Sequence, residues 1–291
     1  MRKKLQAAME YLTTYGWAIL LIAIVFALLF NMGVFNPNTF APKAQPGSCQ
    51  INRPFGPGTQ QDTSMSGTCN EMPKYVAQFN GQNSYIDTGG SFMPLGGSAR
   101  SVFAWVYFTG TSVRSTIYGY GDYFGGAGEG AALEILPSGN NGDLYFESDV
   151  YNAGGPSFSE GQWVWIGYTY LDGNILFYVN GKELSGGYLG SVLNTQLPST
   201  DQANIGKDSA GINYPFNGMM SNVQIYNTSL SSNDILSLYY EGIGGAPIVM
   251  HNLVGWWPLN GNTNDYSGNR KTGVAANIIY VSNWDGGYSA P

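Results

Sequence analysis

Histidine is nearly missing from this 291-residue chain, where His251 stands alone. A single imidazole excludes histidine-based catalytic triads and multi-histidine metal centres. Cysteine is almost as scarce. Cys49 and Cys69 are the only two, and neither sits in a CxxC or zinc-type spacing. Charge is short as well: charged residues make up 11% of the chain, against about 25% in ordinary soluble domains. Arg2, Lys3, Lys4 and Glu10 sum to +2, so the formal net charge of −7 leaves −9 for everything after them. With no basic patch downstream, the chain lacks the electrostatic footprint of a nucleic-acid binder, and no nucleic acid is expected among its partners. The glycine-dense stretch "GYGDYFGGAGEG" at 119–130 contains no GxGxxG and reads as a loop rather than a phosphate cradle.

What is abundant is glycine (41 residues) and tyrosine (21 residues). Many glycines and aromatics with few charges suit short strands joined by tight turns. The N-terminus is different. From Tyr11 to Phe35 there is no charged residue, enough for a helix of about 37 Å, longer than a hydrocarbon core of about 30 Å. Basic residues ahead of it predict a cytoplasmic N-terminus and an exported remainder. A secretory h-region is shorter and ends in a small-x-small site, whereas "FALLFNMGVFN" has no A-x-A. Gly16 and Gly33 permit close helix approach, and Met9, Trp17, Phe26 and Phe30 are packing residues.

Pro37, Pro42, Pro46, Pro54 and Pro57 then punctuate a polar linker or arm over 37–73. In an oxidising setting Cys49 and Cys69 would pin it as a disulfide, closing a loop of about 20 residues worth on the order of 3 kcal/mol; two free thiols are the alternative. From about Lys74 the pattern alternates. "KYVAQFNGQNSYIDTG" reads as strand, Asn-Gly turn, strand, and "SVFAWVYFTG", "GDLYFES", "QWVWIGYTYLDGNILFYVNGKEL" and "GMMSNVQIYNTSL" follow at strand lengths. Asp172-Gly173-Asn174 and Asn180-Gly181-Lys182 predict hairpin turns. Ser231 and Asp234 predict the capped start of one short helix, with Ile235, Leu236, Leu238 and Tyr239 apolar and Gly242 at its end. These features predict an all-β antiparallel sandwich over 74–291, preceded by a long apolar helix.

Two resemblances cover separate parts of the chain. "KKLQAAMEYLTTYGWAIL" resembles the class III signal peptide of archaeal type IV pilins. The resemblance implies a leader over 1–5, cleavage between Leu5 and Gln6 by a prepilin peptidase, and an assembly helix over 6–36. That helix would wait in the cytoplasmic membrane and then pack in the core of an extracellular homo-oligomeric filament built by the pilus assembly machinery. The pilins have a small residue where this chain has Leu5. Glu10 becomes the fifth mature residue, placed to pair with the ammonium of Gln6; a carboxylate in an apolar span otherwise costs about 2.5–3.5 kcal/mol at mid-bilayer.

The second resemblance spans roughly 74–245. "VAQFNGQNSYIDTG", "SVFAWVYF", "EGQWVWIGYTYLDGNILFYVNGKEL" and "NIGKDSAGINYPFNGMMSNVQIYNTSLSSNDILSLYYEG" resemble, in order, the laminin-G-like, concanavalin-A-like lectin superfamily. The implied fold is a jelly-roll sandwich. "LVGWWPLNGNTNDYSGNRKTG" resembles a segment that usually opens such a domain but stands at 253–273, which implies a circular permutation completed by a strand over 253–259, or a strand lent to a neighbouring subunit. Outward-facing sandwiches would then serve adhesion to glycans or cells. The alternative is a membrane-anchored surface lectin that does not polymerise.

No enzymatic activity is expected. Glu147 and Asp149 lie two apart in "LYFESDV" but lack the E-x-D-x-x-E pattern of glucanase relatives, and read as solvated charges at a loop edge. No cofactor is required. A structural calcium ion is the one ligand the turns suggest: Asn262, Asn264, Asp265 and Asn269 in "NTNDYSGN", with Asn83 and Asp87, offer hard oxygens, although Asn and Asp turn the chain without any metal. Asn227-Thr228-Ser229 is the only glycosylation sequon.

Overall fold

A computed structural model of the chain describes residues 15, 17, 19–27, 50–52, 64–66, 72–110, 113–197, 200, 202–209 and 214–291. Two compact units, 1–42 and 43–291, divide it. In the first, residues 15, 17 and 19–27 are helical, and all of these are exposed; the continuous run 19–27 is α1. Among the described residues no helix is long and apolar enough to cross a membrane. The described helix is thus much shorter than the expected 6–36, because the remainder of the apolar run, with Leu5, Gln6 and Glu10, lies outside the described residues. Cys49 and Cys69 lie outside them too.

Among its described residues the second unit is all-β apart from one α-helix and a 3-10 turn. Its strands are β1 (Gln50–Asn52), β2 (Ser64–Ser66), β3 (Val76–Asn80), β4 (Tyr85–Asp87), β5 (Arg100–Phe108), β6 (Ser115–Gly121), β7 (Gly130–Ser138), β8 (Asn141–Glu147), β9 (Ala153–Ser159), β10 (Trp163–Leu171), β11 (Asn174–Val179), β12 (Lys182–Tyr188), β13 (Ala203–Ile205), β14 (Asn217–Tyr226), β15 (Leu253–Trp257), β16 (Val274–Ala276) and β17 (Ile279–Val281). The pair β1–β2 forms a ladder of its own in the proline-rich arm. The others form a jelly-roll-like sandwich of two antiparallel sheets. One has eight strands in the order β12-β11-β10-β5-β14-β3-β17, with β15 also on β14; the other has seven, β16-β4-β13-β6-β7-β8-β9. Leu253–Trp257 therefore pairs within its own chain.

Alternation explains the layers. Along β8, Leu144 and Phe146 point into the core between the sheets while Asp143, Tyr145 and Glu147 point out. Strands β5 and β10 are buried on both faces. Val102, Ala104, Val106, Val164, Ile166 and Tyr168 join the intersheet core; Phe103, Trp105, Trp163 and Trp165 join a second cluster on the far side. That second cluster is covered by helix α2 (Ser232–Tyr240) and by Ile243, Trp256 and Trp284 from the C-terminal segment.

Helix α2 starts where predicted. Ser231 accepts from the Asp234 amide while the Asp234 carboxylate accepts from the Ser231 amide, a reciprocal cap. Ile235 and Leu238 are its buried residues; Leu236, expected on the apolar face, is exposed because the helix is only nine residues long and one side of it touches the sheet. The hairpin turns are also as expected, with positive φ at Asp172 and Gly173 and at Asn180 and Gly181, the geometry that follows the strand twist.

Candidate binding face

The outer face of the seven-stranded sheet carries a cluster of acids around one arginine. Register places Asn204, Gly119, Ala132 and Glu147 side by side across β13, β6, β7 and β8. Thr116, Glu134 and Tyr145 form the next row. The small residues Gly119 and Ala132 leave a depression, and the loop after β13 lowers Asp208 into it. A Cβ on Gly119 would come within 2.7 Å of Asp208 Oδ1, so only glycine admits that carboxylate.

Arg114 joins the acids. Its Nη1 donates to Glu147 Oε2 and lies 3.2 Å from Glu134 Oε2. The guanidinium carbon sits 4.8 Å from the Tyr145 ring centroid and 5.1 Å from that of Tyr214. The Arg114 side chain is 25% exposed and that of Glu147 is 13% exposed, whereas Glu134 is fully buried. The face thus presents a guanidinium between two tyrosine rings, with a carboxylate at its edge.

Beneath this surface the charges do not balance. Glu134, Glu147 and Asp208 face one guanidinium. Glu134 accepts from Thr116 Oγ1 at 3.1 Å, Asp208 Oδ1 accepts from the Ser209 amide at 2.8 Å, and Asn204 Nδ2 donates to the Asp208 carbonyl at 3.0 Å. Glu134 Oε2, Asp208 Oδ2, Asn204 Oδ1 and Tyr123 Oη are buried with no hydrogen-bond partner among the described residues. For Glu134 Oε2 the Arg114 contact is an ion pair without hydrogen-bond geometry. Tyr123 lies beside Asp208 and eases its burial, yet its hydroxyl stands outside good hydrogen-bond geometry. Burial pushes the Glu134 carboxyl up to about 8, with the charge of Asp208 adding to it and Arg114 opposing. Burial likewise pushes Asp208 up to about 7, against the pull of the Ser209 amide. Glu147 is also raised by burial, with Arg114 working the other way.

The residues singled out in the sequence sit elsewhere, apart from Glu147. That residue is not the solvated loop-edge charge expected of it; it ends a sheet strand and is ion-paired to Arg114, a partner 33 positions away. Asp149 is in the following turn with φ +69°. Asp265 and Asn269 share one loop, while Asn83 is in the β3–β4 turn, where its side-chain oxygen accepts from Asn80 Nδ2. Asp265 accepts from the amides of Trp256, Ser267 and Lys271 and from the Ser267 hydroxyl, so four protein donors occupy its carboxylate. Asn269 Nδ2 donates to the carbonyls of Leu253 and Val254. These residues therefore tie their own loops. Among the described residues no three His, Cys, Asp or Glu side chains are placed to hold a metal ion. Asn227 is exposed, and its side-chain oxygen accepts from Asn252. Sequence reasoning missed Arg114, Glu134 and Asp208. One signal was available: Glu134 is the lone acid inside the apolar run Ala131–Leu136.

A family model described as the concanavalin A-like lectin/glucanases superfamily matches residues 80–236. The chain belongs to that superfamily. Among solved structures, this superfamily member is similar to a Bacteroides ovatus protein assigned to carbohydrate binding, at 18% identity and a TM-score of 0.57, over 77% of this chain and 65% of that one. It is also similar to a heptameric SAP-like pentraxin from Limulus polyphemus, at 12% identity and a TM-score of 0.52, over 74% of this chain and 98% of that one. The chain thus spans slightly under two thirds of the Bacteroides structure. At these identities the likeness concerns the fold. Comparison with curated proteins gives no match.

Proposed function

We propose that the sandwich is a glycan-binding module displayed outside the cell and that the Arg114 face is its contact surface. The observation that carries this reading is the partly exposed guanidinium set between the rings of Tyr145 and Tyr214 and anchored by Glu147. Rings offer a platform to the C–H face of a sugar, and the guanidinium and carboxylate offer donors and acceptors to its hydroxyls. Membership of a lectin and glucanase superfamily agrees with this, as does the assignment of the Bacteroides protein. Binding without hydrolysis is the better fit. Glycosidases need two carboxyls open to the substrate, whereas Glu134 is wholly buried and Glu147 is tied to Arg114. Glycan-array binding by the full chain in a non-glycosidic detergent tests the reading. Tyr145→Ala and Tyr214→Ala are each expected to weaken binding about tenfold, the loss of one stacking contact. Unaltered affinity in both variants, or no bound glycan at all, would sink it.

A second reading concerns how the module is held. The apolar side chains of α1 are exposed, with Ile19 at 66% and Leu21 at 65%, and such a surface requires lipid or sibling helices to cover it. With Gln6 and Glu10, this supports a filament subunit whose helices bundle while the sandwiches face out. The family match and the structures named above concern the sandwich, so this reading rests on the N-terminal residues and the helix alone. Electron microscopy of surface appendages, with N-terminal sequencing, decides. Filaments of subunits beginning at Gln6, absent in Glu10→Ala cells, are expected. A monomeric membrane protein beginning at Met1 would leave the anchored lectin.

A further inference from the structure

One motif of the sequence has no part in glycan binding: the sequon Asn227-Thr228-Ser229. It follows β14 directly and precedes helix α2, with a bend at its first two residues. The backbone of that bend is held at three points. The Asn227 amide donates to the Asn252 carbonyl at 2.9 Å. Ser101, buried on β5, holds the residues that follow. Its Oγ donates to the Thr228 carbonyl at 2.7 Å and accepts from the Leu230 amide at 3.0 Å.

Within this fixed backbone the Asn227 side chain is exposed, and Thr228 and Ser229 are half-buried. Asn227 Oδ1 accepts from Asn252 Nδ2 at 3.0 Å. A carboxamide keeps its acceptor and its donors on different atoms, so this bond engages the oxygen rather than the nitrogen. N-glycosylation replaces one hydrogen of Nδ2 and leaves the oxygen an acceptor. The Asn252 bond therefore survives the modification and orients the linkage.

We infer that Asn227 is a glycosylation site whose Nδ2 takes an oligosaccharide from a lipid-linked donor. The Nδ2 attacks C1 of the first sugar of that donor. The Nδ2–C1 bond forms, the C1–O bond to the lipid phosphate breaks, the phosphate leaves with the electron pair, and Nδ2 gives up one proton. Sequons are used on exported chains, so the inference rests on the reading of the sandwich as displayed outside the cell. The place of the sequon in the fold decides what the glycan leaves free. Strand β14 has ten residues, a span of about 30 Å at about 3.3 Å per residue. Tyr214 stands just ahead of its first residue, with its ring beside Arg114 and its carbonyl accepting from the Thr116 amide at 2.8 Å. Asn227 stands just past its last residue. The glycan thus sits at the opposite end of the strand from the Arg114 face and leaves that face open.

Peptide mass mapping of the full chain, purified from the cells that naturally make it, tests this. The peptide holding Asn227 is expected to carry the mass of an oligosaccharide. It is expected to return to its unmodified mass in Asn227→Gln and in Ser229→Ala, which keeps Asn227 and its bonds to Asn252. Ser229→Thr retains the sequon hydroxyl and is expected to stay modified. Glycan-array binding is expected to be unaltered in Asn227→Gln. An unmodified Asn227 in a sandwich that protease added to intact cells can cleave overturns the glycosylation site alone. An unmodified Asn227 in a sandwich shielded from that protease overturns the export reading with it. A mass increment that persists in Ser229→Ala belongs to some other modification and also overturns the inference.

Discussion

Replacing Asp208 by asparagine is expected to stabilise the sandwich at neutral and alkaline pH and to have little effect in acid. Asp208 is fully buried, and its Oδ2 has no hydrogen-bond partner among the described residues. Burial holds its carboxyl up at about 7 against an ordinary 3.8, and the neighbouring Glu134 is held at about 8 against 4.5. Both folded values exceed the unfolded ones, so the native state binds more protons. The contribution of these two groups to stability is full below pH about 4, is lost as pH rises through about 7 and 8, and is absent above that. At about 1.4 kcal/mol per pH unit, the Asp208 displacement corresponds to an upper bound of roughly 4 kcal/mol. Relaxation and water entry would halve that, to about 2 kcal/mol. Asparagine keeps the acceptor for the Ser209 amide and removes the buried charge. For a domain of this size the gain amounts to about 4–8 °C in Tm. Thermal melts of wild type and Asp208→Asn across pH about 3 to 9 would show two curves that coincide in acid and part through neutrality. A gain as large at pH about 3 as at 8, or no gain at either, would refute the argument that an uncompensated buried charge is the cause.

Other outcomes follow from the same face. Arg114→Ala removes the one cation facing three carboxylates and is expected to cost about 3 kcal/mol, more at alkaline than at acid pH, by the same melts. Gly119→Ala would drive a methyl group to within 2.7 Å of Asp208 Oδ1 and 3.2 Å of its Cα, for a loss of about 1–3 kcal/mol in chemical denaturation. Away from the face, Ser231→Ala removes the cap of α2, and a loss of about 1 kcal/mol is expected in the same assay.

What the sequence determined by itself is local. The alternation in "GDLYFES" predicts which side of β8 is buried, because a strand turns its side chains over every second residue. Asp172-Gly173 and Asn180-Gly181 predict their turns because positive φ is a property of the residues themselves. Ser231 and Asp234 announce a helix start three residues wide. Segment order over 74–245 carried the sandwich for the same reason: each hallmark is contiguous in the chain.

What only the tertiary structure decided is which of these pieces become neighbours. Arg114, Glu134, Glu147 and Asp208 spread over 94 positions and meet because of the register of β6, β7, β8 and β13 and the loop after β13. No spacing rule joins them, so the sequence presents Glu147 as a solvated charge, whereas its partner Arg114 lies across two strands. Asp265, Asn269 and Asn83 have other places in the fold. Their donor chemistry is legible in the sequence, but the fold gives Asp265 four protein donors and puts Asn83 in a separate turn. The sum of many weak local preferences specifies the sandwich. The energy of a buried charge depends on distance and burial, and both exist only once distant strands have closed on each other.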